Sequence, residues 1–168
     1  MGKPTLTILS KQEAKVYKPK KSFKQKPIMI RILDGSPYKE EKPVKYYKHY
    51  KHQLNMEFLD IEIEDDESMA SIERRQNIYG DLLFNESHVQ SLNDFLKTIN
   101  IDETSEIVIH CTAGERRSVA IGLIISKYFT QDVDTFNAIQ NNKRFPFGNA
   151  FVYEKCDEWF SSNEYRHQ

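Results

Sequence analysis

Short apolar runs at four places along the chain predict β-strands. Residues 28–33 and 107–109 are almost continuously apolar, which is typical of strands covered on both faces. Residues 59–63 instead alternate apolar and acidic side chains, the period of a half-buried strand. A shorter run at residues 6–9 is predicted as the first strand. Two of the four predicted strands therefore belong in the middle of a sheet.

Helical patterns separate these runs. Ser10 and Glu13 have the spacing of a capping box, at the start of a helix that Pro19 ends. Asn85 or Ser87 caps a helix with apolar residues three and four apart. The segment 38–53 is predicted as a loop or a poorly defined helix. Further helices are predicted near residues 69–75, 118–125, 132–142 and 149–161.

The order of these elements predicts the fold class. Strands that alternate with helices indicate an α/β domain with a central, mostly parallel sheet of four to five strands flanked by helices. A chain of 168 residues is long enough for one such domain, so residues 1–168 are expected to form a single unit. In such sheets the ligand site lies at the carboxyl ends of the strands.

Composition narrows the location and the partners. No apolar run approaches the roughly 20 residues of a membrane helix, and the N-terminus lacks the apolar core of a secretory signal. We therefore expect a soluble, cytoplasmic protein without a membrane partner. Only Cys111 and Cys156 are present, too few for a disulfide framework, and their surroundings lack the spacing of a metal site. Each is either a small core residue or a nucleophile, and Cys156 is expected in the core.

Charge is distributed unevenly along the chain. Residues 1–52 contain 14 Lys and Arg against 4 Asp and Glu, whereas the rest contains 10 against 21. Such a basic segment either attracts anionic partners or forms a solvated face that pairs with the acidic half. We expect the second, because runs of charge are usually solvated. A nucleic acid is accordingly the less favoured partner.

The chemistry concentrates at residues 107–118. Cys111 follows a buried strand, and Arg117 comes six residues later at the start of a helix, with Gly114 between them. A loop between a strand and a helix start can turn backbone N–H groups inward around an anion. Glycine permits the tight turn, and arginine offers two donors matched to phosphate oxygens. The same field stabilises a thiolate that can attack phosphorus.

The segment resembles the HC-x5-R-[ST] motif of the cysteine-based protein tyrosine phosphatase superfamily, and the dual-specificity type most closely. The resemblance implies that Cys111 is the nucleophile and forms a phosphocysteine. It implies that the Ser118 hydroxyl assists the sulfur as leaving group, and that His110 orients the loop from outside the pocket. No metal or other cofactor is implied. The phosphate would be held by Thr112, Ala113, Gly114, Glu115, Arg116 and Arg117.

A general acid must protonate the leaving oxygen. The resemblance places it on a loop that follows a neighbouring strand, and residues 61–66 are similar to the pattern that precedes this acid in dual-specificity enzymes. Asp65 is the predicted acid, with Asp66, Asp81 and Asp60 as alternatives. Asn149 either braces the site loop or caps the last helix.

The resemblance implies a phosphomonoester substrate. We expect phosphotyrosine in proteins as the substrate. A dual-specificity enzyme would also act on phosphoserine and phosphothreonine. The loop carries Glu115 and only Arg116 as a further cation, which disfavours a polyphosphorylated lipid. The alternatives are an RNA 5′-triphosphatase, which the basic segment would suit, and a non-catalytic phosphate-binding module.

Overall fold

The computed structural model describes residues 2–36, 40–64 and 66–164. The strands and helices follow one another in the predicted alternating order. The strands are β1 (Thr5–Ser10), β2 (Lys26–Leu33), β3 (His52–Glu57) and β4 (Thr104–Cys111). The helices are α1 (Lys11–Val16), α2 (Met69–Tyr79), α3 (Glu86–Lys97), α4 (Arg117–Ile124), α5 (Val133–Asn142) and α6 (Ala150–Glu164).

Within the described residues, one sheet of four parallel strands has the order β1-β4-β2-β3. The two almost continuously apolar runs became β2 and β4, which lie in the centre of the sheet with their side chains largely buried. All four carboxyl ends point to the same edge, so Ser10 and Cys111 are register partners there. The predicted α/β class with a parallel sheet is confirmed.

The larger core lies between the sheet and the helices α3, α4 and α6. Every residue of α4 is buried, because this helix packs between the sheet and α6. A smaller core on the opposite face joins Met29 and Val108 of the sheet to Ala14 of α1 and to Val44 and Tyr50. Cys111 belongs to the larger core cluster, and the segment around Val44 covers the other face of the sheet.

Capping residues fix several helix starts as predicted. The Ser10 side chain accepts from the Glu13 backbone N–H and the Glu13 carboxylate accepts from the Ser10 N–H, which confirms the capping box of α1. Asn85 rather than Ser87 caps α3. No helix among the described residues is both long and apolar enough to traverse a bilayer.

The strand predicted at residues 59–63 is wrong. The edge strand β3 comes earlier, at His52–Glu57, inside the segment predicted as loop or helix. Apolar side chains alternate at Leu54, Met56 and Phe58, and the phase of the alternation then changes at Leu59. The ladder ends where Glu57 pairs with Leu33, because β2 offers no further partner. The later part of the alternating pattern therefore forms irregular chain beside the carboxyl edge.

The described lysines of the basic segment are exposed apart from half-buried Lys11, so the expected solvated face is present, but few of its cations pair with the acidic half. Lys51 forms an ion pair with Glu103, at 3.0 Å between Nζ and Oε2. Lys11 and Arg31 instead contact Glu41, which belongs to the same basic segment. Within the described residues, no ion pair is formed by the other lysines of residues 2–52. Their charges remain available to an anionic partner.

Candidate active site

The loop between β4 and α4 folds tightly over the junction of β1 and α1. Gly114 has φ +72°, and a Cβ there would lie 2.7 Å from the Leu9 carbonyl carbon and from the Ser10 nitrogen. Only glycine fits both the backbone angle and the space. The Lys11 N–H donates to the Thr112 carbonyl at 3.1 Å, which fixes the outer side of the loop.

The Cys111 sulfur lies inside the curve of this loop. Cys111 is only 2 % exposed. The Gly114 N–H donates to its Sγ at 3.3 Å. The buried Ser118 hydroxyl lies 3.0 Å from Sγ on the other side. The Gly114 N–H thus donates to the sulfur, and the Ser118 hydroxyl lies within hydrogen-bond distance of it, at the base of the loop.

Arg117 is held by hydrogen bonds from both of its terminal nitrogens. Nη1 donates to the Phe58 carbonyl at 2.7 Å and to Asp34 Oδ1 at 2.8 Å. Nη2 donates to Thr112 Oγ1 at 3.1 Å. No hydrogen bond from Nε to another described residue is present, so the edge formed by Nε and Nη2 can meet two phosphate oxygens. Arg117 is only 4 % exposed, and the anchors of its guanidinium limit its motion.

Asp34 is a site residue that the sequence analysis missed. It follows β2 at the carboxyl edge, contacts Arg117, and its Oδ2 accepts from Thr112 Oγ1 at 3.3 Å. Its side chain is about half exposed, at 53 %. The rule that polar residues after central strands reach the ligand site would have found it, because β2 and β4 were both predicted as buried strands.

The Arg116 side chain points away from the loop interior. Its Nε lies 3.0 Å from Asp60 Oδ2, its Nη2 lies 2.8 Å from Glu62 Oε1, and its guanidinium lies over the Phe145 ring. The Arg116 guanidinium is therefore engaged by these partners. Thr112, Ala113 and Glu115 are exposed on the same loop, and their part in holding a phosphate stays a prediction.

Asn149 serves both of the functions predicted for it. Its Nδ2 donates to Asp60 Oδ1 at 2.8 Å and to the Ile61 carbonyl at 3.0 Å. Its Oδ1 accepts from the Val152 N–H at the start of α6, and its own N–H donates to the Arg116 carbonyl. The residue thus caps α6 while it joins the irregular chain after β3 to the site loop.

His110 lies on the face of the sheet opposite to Cys111, as alternation along a strand requires. It is fully buried, and Arg31 Nε donates to its Nε2 at 3.0 Å. The accepting Nε2 assigns the ring proton to Nδ1. Burial, together with the Arg31 charge, lowers the pKa of His110 to about 4, so the ring is neutral near pH 7. It lies outside the loop, and its role in orienting the loop stays a prediction.

The predicted general acid, Asp65, lies outside the described residues. Of the alternatives, Asp60 is held against the site loop by Arg116 and Asn149. Asp66 and Asp81 are exposed, and neither forms a hydrogen bond or ion pair with the loop among the described residues. Both carboxylate oxygens of Asp60 contact Arg116 or Asn149, so Asp60 braces the loop. A general acid needs a carboxyl oxygen that faces the leaving group, and Asp65 stays the predicted acid.

Comparisons with known proteins address the fold. No family model matches the sequence, and no curated protein matches it either. The crystal structure of human DUSP28 matches with a TM-score of 0.52 and 10% identity, over 97% of this chain and 96% of that chain. Human tyrosine phosphatase-like serine/threonine/tyrosine-interacting protein matches with a TM-score of 0.48 and 18% identity, over 82% and 78% of the two chains.

The chain therefore has the fold of the dual-specificity phosphatases. The predicted resemblance is confirmed at this level, and the Cys111 loop occupies the carboxyl edge of that fold's central sheet.

Proposed function

We propose that this protein is a phosphomonoester hydrolase that forms a phosphocysteine at Cys111 and acts on phosphotyrosine in proteins. The observation that carries the proposal is the position of Cys111 Sγ, which receives the Gly114 N–H and lies beside Ser118 at the base of the loop. Arg117, anchored through Nη1, completes a pocket that matches a tetrahedral anion above a nucleophile.

The reaction proceeds in two displacements. The Cys111 thiolate attacks phosphorus, the P–S bond forms, and the P–O bond to the substrate breaks as the leaving oxygen takes a proton from the general acid. Water then attacks the phosphocysteine, the P–S bond breaks, and inorganic phosphate leaves. The Ser118 hydroxyl stabilises the sulfur anion that departs in this second step. Arg117 and the loop N–H groups meet the equatorial oxygens in both steps.

Two features favour a phosphorylated tyrosine. Cys111 is almost completely buried, so a phosphate must extend inward on a long side chain to reach the sulfur. Arg116, the further cation of the loop, is paired with Asp60 and Glu62, and Glu115 is exposed beside it, which disfavours a headgroup with several phosphates. A phosphotyrosine presents one dianion and an aromatic ring, and the ring needs no cation at the rim.

Phosphate release from peptides tests this proposal. One preparation is offered matched peptides that carry phosphotyrosine, phosphoserine or phosphothreonine, together with 5′-triphosphorylated RNA. We expect the phosphotyrosine peptide to have the highest kcat/KM. Preference for the RNA would assign the alternative triphosphatase activity. Binding of phosphate without turnover of any substrate would instead make the protein a phosphate-binding module.

Replacing Asp65 by asparagine tests the acid. We expect kcat for the phosphotyrosine peptide to fall roughly 10²-fold, because a poor leaving oxygen then departs without a proton. An aryl phosphate with an acidic phenol as leaving group should lose much less activity. Asp66→Asn is the adjacent control and should change kcat less than threefold. An unchanged kcat in Asp65→Asn would move the role to another carboxylate.

Replacing Asp34 by asparagine tests how Arg117 is positioned. The variant keeps the shape but replaces the ion pair at Nη1 with a neutral hydrogen bond. We expect kcat/KM to fall about tenfold as the arginine loosens, mostly through KM. The exposed Asp94→Asn in α3 is the control. If Asp34→Asn raised kcat/KM, the carboxylate would be competing with phosphate for Arg117.

A further inference from the structure

The face of the molecule that α1 covers is strongly basic and stands beside the site loop. Three of its lysines, Lys11, Lys15 and Lys42, line a cleft of about 700 Å³. Buried Arg31 lies in the wall of this cleft. The Lys11 backbone contacts Thr112, so the cleft begins next to the site loop.

The basic surface continues from the cleft along α1 and residues 42–49. The Lys45 N–H donates to the Lys15 carbonyl at 2.9 Å, which joins the two segments. The ammonium groups of Lys18 and Lys45 lie 6.0 and 5.4 Å from the centre of the Tyr46 ring. The Lys48 ammonium lies 5.8 Å from the centre of the Tyr47 ring, which is 46 % exposed. Positive charges and aromatic rings thus alternate over one surface.

The charges at the far end of this surface are close enough to act on one another. Burial and the charges of Lys21 and Lys18 lower the pKa of His49. Glu40 and Glu41 are the carboxylates that line the cleft, and Glu41 is already bound to Lys11. We call the whole surface the basic face, and it comprises Lys11, Lys15, Lys18, Lys21, Lys42, Lys45, Tyr46, Tyr47, Lys48 and His49.

The chain after α1 is held in place beneath this surface. The fully buried Glu106 of β4 accepts hydrogen bonds from the Thr7 hydroxyl, from the Tyr17 hydroxyl at 2.5 Å and from the Lys20 N–H at 2.7 Å. These bonds tie both sides of Lys18 to the central strand. The lysines are therefore presented by a fixed backbone, which lowers the entropy lost when an anion binds.

We propose that the basic face binds single-stranded nucleic acid. Its lysines contact successive phosphates, and the Tyr47 ring stacks on a base that a single strand leaves unpaired. A flat membrane surface does not fit a concave cleft. An acidic peptide would be bound by the lysines alone and would leave the exposed Tyr47 ring without a stacking partner. The surface lies outside the phosphate pocket, so the proposal does not depend on the phosphatase activity.

Binding of a labelled oligonucleotide tests the proposal. The full chain is titrated into a 15-nucleotide RNA with a 5′-hydroxyl, and fluorescence anisotropy is recorded between 50 and 200 mM salt. We expect the logarithm of the association constant to fall with the logarithm of salt, with a slope of about −4 for six neutralised phosphates. A duplex of the same length should bind at least about fivefold more weakly, because its bases are not free to stack.

Two matched double variants assign the binding to this surface. Lys18→Gln with Lys45→Gln should make the slope less steep by about 1.4 and weaken binding roughly 20-fold at 0.1 M salt. Lys97→Gln with Lys155→Gln removes the same charge elsewhere and should leave binding within twofold. Tyr47→Ala should weaken binding about fivefold or more. Circular dichroism checks that each variant is folded. If the Lys18 and Lys45 double variant unfolds, the binding of each single variant is measured instead.

Several outcomes would overturn the proposal. Binding without salt dependence, or equal loss in both double variants, would remove the basic face from the explanation. Equal affinity for polyglutamate would indicate a general polyanion surface, and affinity only for phosphatidylserine vesicles would indicate a membrane. The Lys18 and Lys45 variant should still hydrolyse a small aryl phosphate at the wild-type rate. Oligonucleotide binding without any hydrolysis would contradict the proposed function alone.

Discussion

Replacing Cys111 by serine is expected to lower kcat by at least about 10⁴-fold. The hydroxyl of serine would occupy the position of Sγ, with the Gly114 N–H on one side and Ser118 on the other. It would remain protonated at neutral pH and would be a weak nucleophile without an adjacent base. The pocket keeps its donors, so phosphate binding should survive while the phosphocysteine can no longer form.

The second cysteine provides the matched control. Cys156 is fully buried in α6, and burial raises its pKa, so it cannot serve as a nucleophile near neutral pH. We expect Cys156→Ser to keep kcat within about threefold while it lowers thermal stability. Rapid acid quench during turnover of a substrate with a radiolabelled phosphate should trap a labelled phosphoprotein in the wild type and in Cys156→Ser. A labelled phosphoprotein in Cys111→Ser, or turnover near the wild-type rate, would exclude the proposed nucleophile.

Much of the site could be predicted because its elements are contiguous in the sequence. Cys111 and Arg117 flank one short loop that contains Gly114, so their spacing along the chain determines their spacing in the fold. The flanking run of buried β-branched residues also predicts the strand that delivers them. The resemblance to a known motif added roles for these residues that spacing alone does not supply.

Contacts between distant segments could not be predicted in this way. Asp34 meets Arg117 across 83 positions, and Asn149 meets Asp60 across 89. Such pairs depend on the sheet order, which places β2 beside β4. The error in predicting a strand at residues 59–63 has a similar cause. Apolar and polar residues alternate on both sides of Phe58, and only the length of β2 decides which of the two segments pairs with it. Sequence also could not tell that most lysines of the basic segment lack acidic partners.

Replacing Arg117 by lysine should lower kcat/KM about 10³-fold, although the charge is preserved. The native guanidinium uses Nη1 to hold the Phe58 carbonyl and Asp34, and still presents a second edge to phosphate. The lysine ammonium cannot hold these anchors and bind phosphate together, because its three N–H donors share one nitrogen atom. It would remain with Asp34 and leave the developing charge on the equatorial phosphate oxygens less stabilised.

Arg116 is the control, because the same substitution there preserves charge at the neighbouring position. Its side chain binds Asp60 and Glu62 instead of facing the pocket, so Arg116→Lys should change kcat/KM less than about tenfold. Steady-state kinetics give both values, and vanadate binding to each variant separates lost affinity from misfolding. If Arg116→Lys reduced kcat/KM as severely as Arg117→Lys, the two arginines would act as one bracing unit and the assignment of phosphate binding to Arg117 would be wrong.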